Sequence, residues 1–278
     1  MMSCTLCRYT ENCGNMETCD RLNEFRPDQI YLGDSLKLMQ KIPAGSVDLV
    51  IADPPFGINF KAKRGNYNRN GEIVMDGYGE VRPEDYPYFT QRWIKLASSA
   101  LKSSGSMFVV SGWNHLETVL AELRCQGLEL VNHIIWKYQF GVRTTKKFVT
   151  SHYHILYVVK DLKRRHWDKR ERYPEDVWYI KRKYHRGERK TPTRLPVALV
   201  QKMISFASYT GDLVLDPFVG SGTVPAVAKR MGRQFLGFEL VPEYHEFAVE
   251  RVQAANLDTG FLDEWTDEDR ERFEKEMS

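Results

Sequence analysis

Short apolar runs of four to nine residues recur along the chain, separated by longer stretches in which apolar side chains return every three or four positions. The runs predict strands over 29–32, 47–52, 106–111, 128–136, 152–159, 213–216 and 234–239. Helical periodicity covers 36–41, 83–101, 116–126, 196–207, 224–231 and 242–255. Two of the strand runs, VDLVIAD and DLVLD, carry few polar residues, as strands covered on both faces do. Strand and helix alternate for most of the length. The expected fold is therefore α/β: a doubly wound, mostly parallel sheet of seven strands with helices on both faces.

Two stretches break that rhythm. Residues 60–80 are rich in Gly, Asn and charge, and residues 161–190 are basic and aromatic, with Trp167, Tyr173, Trp178, Tyr179 and Tyr184. Connections this long in a compact domain usually carry function or lack fixed structure, so both are expected to leave the sheet. The 278 residues, 42% of them hydrophobic, suffice for one large core. The domain is expected over 26–257, between an N-terminal arm (1–25) and an acidic tail (258–278). No apolar run approaches the roughly 20 residues that cross a bilayer, and the first residues lack a secretory pattern. A cytoplasmic chain without membrane contact is expected.

The net charge of +3 conceals an asymmetry. Residues 160–190 hold thirteen Lys and Arg against six Asp and Glu, whereas 258–278 hold three against nine. The basic block is a candidate surface for phosphates and splayed bases, with Lys61, Lys63, Arg64 and Arg69 as a second candidate loop. Cys4, Cys7, Cys13 and Cys19 are spaced C-x2-C-x5-C-x5-C in the arm. In a chain without an export signal this pattern suits a zinc ion or an iron–sulfur cluster, or else four reduced thiols on a loose arm.

The segment GDLVLDPFVGSGTVPAVAKR reads as a strand ending at Asp216, a glycine turn and a helix. Gly220 and Gly222 let backbone approach a ligand, and the helix start at Ser221–Thr223 offers N–H groups to an anion. No Lys follows Gly222, which argues against a nucleoside-triphosphate loop, and Val224–Pro225 breaks the dinucleotide pattern. The carboxylate of an amino-acid moiety fits the turn. Glu239, near the end of the next strand, suits a pair of ribose hydroxyls or the start of the helix at Pro242. A second buried strand delivers Asp53, Pro54, Pro55 and Phe56 at its carboxyl end, where open α/β sheets bind ligands. Two prolines fix the backbone and remove two donors, leaving rigid carbonyls beside an aromatic face. Asp-Pro-Pro is also an ordinary way to end a strand.

Taken together, DPPF (53–56) and DPFVGSGTV (216–224) resemble the catalytic and cofactor motifs of the DNA amino-methyltransferases. The likeness is to the permuted, beta-class order, in which the catalytic segment comes first. YLGDSLKLMQKIPAGSVDLVIADPPF, SGSMFVVSG, IIWKYQFG, DVW and KTPTRLP extend it over roughly 29–255. The resemblance implies a Rossmann-like fold and S-adenosylmethionine as methyl donor. It implies a site-specific DNA methyltransferase of the restriction-modification kind, with DNA as partner and a homodimer as one assembly. It places Asp34 near the target base, Thr191 and Arg194 on the methionine side of the cofactor, and Asp216, Phe218, Gly220, Gly222 and Glu239 around the rest. Asp at the first catalytic position is associated with adenine N6 more than with cytosine N4; RNA methylation is the third reading. Phe56 stands where Tyr is commoner, and Lys190 and Arg194–Pro196 depart from the family's usual residues.

The chemistry suits these residue types. An exocyclic amino nitrogen is a poor nucleophile because its lone pair is delocalised into the ring. Two acceptors, the Asp53 carboxylate and the Pro54 carbonyl, would draw it toward tetrahedral geometry by preorganised electrostatics. Asp53 then needs no raised pKa, and the departing proton goes to water.

Overall fold

A computed structural model describes residues 25–57, 81–139, 144–182 and 194–255. The four N-terminal cysteines, Lys61, Lys63, Arg64, Arg69, Tyr184, Lys190, Thr191 and the acidic tail lie outside the described residues.

The strands are β1 (Gln29–Leu32), β2 (Val47–Ala52), β3 (Leu101–Ser111), β4 (Glu129–Lys137), β5 (His152–Val159), β6 (Val177–Tyr179), β7 (Leu213–Asp216) and β8 (Gln234–Glu239). The helices are α1 (Ser35–Leu38), α2 (Tyr86–Ala100), α3 (Leu116–Cys125), α4 (Val197–Ala207), α5 (Thr223–Arg230) and α6 (Pro242–Ala254). The strands form one sheet in the order β1-β8-β7-β2-β3-β5-β4-β6. Neighbours run parallel except at β3–β5 and β5–β4. The inner strands of the parallel half are buried on both sides, which explains their unbroken apolar runs: Val47, Leu49, Val50, Ile51 and Ala52 of β2 are all inaccessible. Alternate residues serve two separate cores. Leu49 and Ile51 pack with residues of α4, α5 and α6, while Val50 and Ala52 pack with residues of α2 and α3.

Two expectations are corrected. The sheet has eight strands, because Val177–Tyr179, inside the segment expected to leave it, pairs in parallel with β4. Three residues are too few to show a periodicity; the strand is held by its central residue, Trp178, which is 9% exposed. Trp167, from the same segment, stacks on Tyr157 and packs against Phe206 of α4. The helix expected to reach Leu101 stops at Ala100, and Leu101 opens β3 opposite Val47, with a register shift before Ser106.

Candidate active site at the carboxyl edge of the sheet

Strand order decides where the sequence motifs meet. β2 and β7 are far apart in the chain but hydrogen-bonded neighbours in parallel, with Val50 opposite Leu215. β8 lies on the other side of β7, with Asp216 opposite Gly237, and β1 flanks β8, with Leu32 opposite Glu239. All four strands therefore end at one edge. Asp53 follows β2, Asp216 and Glu239 close β7 and β8, and Gly33–Asp34 follows β1. The proximity is also electrostatic: burial pushes the Asp216 carboxyl well above its ordinary range, and Asp53 and Glu239 push it further the same way.

The Asp53–Phe56 tetrapeptide is braced by residues that no motif identifies. Phe56 packs against Tyr153 of β5 with ring centroids 5.5 Å apart, and it lies over Gly112, where an added Cβ would come 3.5 Å from its ring. Gly57 has φ +65°, and an added Cβ would stand 2.4 Å from the Tyr86 ring. Its carbonyl is 3.2 Å from His115 Nε2, and His115 stacks on Tyr86 at 4.4 Å. Tyr153 in turn touches Trp136 and Tyr138, and the Arg182 guanidinium lies 4.8 Å from the centre of its ring. These contacts join β2 to α2, β3, β4 and β5, which no local spacing reports.

The glycine turn is built largely from its own donors and acceptors. Asp216 is 3% exposed and its Oδ1 accepts from the Phe218 amide at 3.0 Å, so it shapes the turn from inside. Glu239 accepts from the Gly220 amide through Oε2 at 2.7 Å and from the Val241 amide through Oε1 at 2.8 Å. Its carboxylate therefore bridges the glycine turn and the residue that opens α6. Its pKa is raised, first by burial. Asp34 caps α1 by accepting from the Leu36 amide at 2.9 Å.

Several residues expected around the cofactor or the base have partners within the fold. Gly222 was expected to admit a ligand, but an added Cβ would meet Ala248 of α6 at 2.9 Å, so this glycine serves helix packing. At Gly220 the same atom would find, among the described residues, only the Phe218 carbonyl, at 3.9 Å, so these leave that side of the turn open. Ser221 and Thr223 are buried, and Arg251 Nη1 donates to the Ser221 carbonyl at 3.2 Å and to Thr223 Oγ1 at 2.8 Å, which ties both residues to α6. Phe218 packs against Phe89 and Trp93 of α2. Trp178, expected as a platform for splayed bases, is committed to the core, while Tyr173 and Tyr179 are exposed.

Arg194 is half-buried and stands just before α4, which leads directly into β7 and so starts at the same carboxyl edge. Among the described residues no group of three His, Cys, Asp or Glu side chains is placed to hold a metal ion, and no helix is long and apolar enough to cross a membrane.

Comparisons with known proteins agree with this geometry. Residues 47–250 match the model of a family described as DNA methylase (N6_N4_Mtase). The chain is 31% identical over 240 residues to the Type II methyltransferase M2.DpnII of Streptococcus pneumoniae, covering 80% of this chain and 88% of that one. It is 33% identical over 236 residues to M2.LlaDCHI of Lactococcus lactis subsp. cremoris, with 79% and 87% covered. Among solved structures, the M1.HpyAVI–SAM complex superposes with a TM-score of 0.61 at 23% identity, covering 81% of this chain and 98% of that one. The cytosine-N4-specific PvuII DNA methyltransferase does so at 0.63 and 21%, with 89% and 90% covered. These two likenesses are likenesses of fold.

Proposed function

The chain belongs to the DNA methylase family, and on that premise we propose that it transfers a methyl group from S-adenosylmethionine to N6 of a flipped adenine. The observation that carries this reading is the pairing of β2 with β7, which sets Asp53 beside the Asp216–Gly220 turn.

The residues present suit the cofactor. Asp53, Asp216 and Glu239 gather three carboxyl groups at one edge; burial disfavours ionisation of Asp216, and a nearby cationic group such as a sulfonium or an ammonium would favour it. The open side of Gly220 leaves room for backbone to approach a ligand. Glu239 retains lone pairs for ribose hydroxyls beside the two amides it already accepts. Thr191 and Arg194 belong to the methionine side. When bound, the cofactor supplies an electrophilic methyl group.

The chain's own residues do the rest. Asp53 and the Pro54 carbonyl each accept one N–H of the target amino group, which localises the nitrogen lone pair before charge develops. Phe56, held by Tyr153 and Gly112, stacks on the base and orients it. Pro55 keeps the strand end rigid. Asp34, at the end of β1 on the far side of β8, is assigned to the target base by the same resemblance. The likeness of M2.DpnII and M2.LlaDCHI supports a site-specific activity of this kind. The four N-terminal cysteines are read as a zinc or iron–sulfur site, checked by metal analysis of the full chain against a Cys4→Ser, Cys7→Ser variant.

The test is base-resolved methylation. DNA from a host expressing the chain is sequenced for modified adenine and cytosine, alongside Asp53→Ala. Modified adenine at a recurring site, absent with Asp53→Ala, supports the proposal. Modified cytosine moves the reading to N4, and transfer that survives the substitution removes Asp53 from the mechanism.

A further inference from the structure

The connection between β4 and β5 emerges at the catalytic edge. β3 runs parallel to β2, with Ala52 opposite Val109, and β5 pairs antiparallel with β3, with Ser111 opposite His154. β5 therefore begins beyond the level of Asp53, two strands away from β2, and the segment before it lies at the same edge of the sheet. Its stem is tied down: the Tyr138 amide donates to the Ser151 carbonyl at 3.1 Å, and the Tyr138 hydroxyl to the Thr150 carbonyl at 3.3 Å. At its tip, Phe148 is 99% exposed and follows Lys146 and Lys147, and the Thr144 hydroxyl donates to the Lys147 carbonyl.

A phenylalanine held almost wholly in water, on an anchored turn next to two cations, is what a polyanion with a stacked apolar interior would cover. It lies five positions before Tyr153, which touches Phe56. Five extended residues reach at most about 17 Å, more than the roughly 8 Å depth of either groove of B-form DNA. A base removed from the helix leaves a gap between its neighbours, and apolar side chains are suited to fill such gaps.

We propose that Phe148 is the wedge that enters the duplex where the target base leaves it, with Lys146 and Lys147 holding the flanking phosphates. This rests on the DNA-methylating reading above. Trp113, 60% exposed after β3 on the same edge, is the competing side chain. It follows Gly112, which lies against Phe56, and its chain neighbours are Gly112 and Asn114 rather than lysines.

The experiment compares steady-state methylation of two oligonucleotide duplexes carrying the site found by sequencing. One is fully paired; in the other the target base faces an abasic position, so leaving the helix costs little. Phe148→Ala is expected to lower kcat/KM about tenfold or more on the paired duplex and less than about twofold on the abasic one. Phe148→Trp should retain the activity on both. Cofactor affinity, unchanged in Phe148→Ala, shows that the fold is intact. Lys146→Ala with Lys147→Ala should lower the salt dependence of DNA binding by about two in the log–log slope. Equal losses on both duplexes, no loss on either, or the split appearing in Trp113→Ala instead would overturn the wedge. If the unsubstituted protein methylates neither duplex, the methylation reading itself fails.

Discussion

The Glu239 carboxylate closes the glycine turn, accepting from the Gly220 amide at 2.7 Å across nineteen residues of sequence. One side chain thus sets the shape of the turn and presents its remaining lone pairs to whatever lies over it. Glu239→Ala is expected to weaken S-adenosylmethionine binding by about tenfold to a hundredfold, the worth of a charged hydrogen bond. Glu239→Gln, which keeps one acceptor, should fall between. Titration calorimetry measures both; unchanged affinity in the alanine variant would separate Glu239 from the cofactor.

The two glycines of the turn should respond differently to the same substitution. Gly222→Ala meets Ala248 at 2.9 Å from a φ of +77°, and should cost about 3 kcal/mol of stability through overpacking and strain. Gly220→Ala, at φ +52° with open space beyond it, should cost about 1 kcal/mol of stability and act mainly on cofactor affinity. Urea denaturation with and without cofactor distinguishes the two effects.

Asp216 makes the cofactor-free protein less stable as pH rises. Its folded pKa lies above the ordinary value of 3.8, chiefly through burial. Above that ordinary value the unfolded chain gives up the proton while the folded chain keeps it, so stability declines until the raised value is passed. Glu239, raised for the same first reason, adds to the slope. Asp216→Asn preserves an acceptor for the Phe218 amide and should flatten the decline, as read from urea midpoints across pH.

His154 acts in the opposite sense. Burial, then His133 and His152, lowers its pKa from 6.5 to about 4, and its Nδ1 lies 2.8 Å from His133 Nε2. Between pH 6.5 and about 4 the unfolded chain takes up a proton that the folded chain refuses, so this contribution to stability is present above 6.5 and lost on acidification. His154→Asn should reduce the acid loss in that interval; an unchanged slope would mean that the pair is not coupled to folding.

Much of the architecture was legible in the chain because the relevant signals are local. Strands β1, β2, β5, β7 and β8 coincide with the apolar runs, and α3 and α4 differ from the periodic stretches by one residue at one end. The motifs 53–56 and 216–224 marked the two strand tips for the same reason: prolines and glycines constrain backbone where they stand. β6 escaped because a three-residue strand has no measurable period.

What the amino-acid sequence alone determined is the set of elements, the two motifs and the family they resemble. Tertiary structure alone decided that β7 lies between β8 and β2, bringing Asp53, Asp216 and Glu239 to one edge. It also decided that Gly222, Ser221 and Thr223 pack against α6, that Trp178 belongs to the core, and that Tyr153, Tyr86 and His115 brace residues 53–57. The reason is physical. Backbone preference and burial pattern are written within a few residues, whereas a side chain's neighbours depend on which strands pair across long separations in the chain.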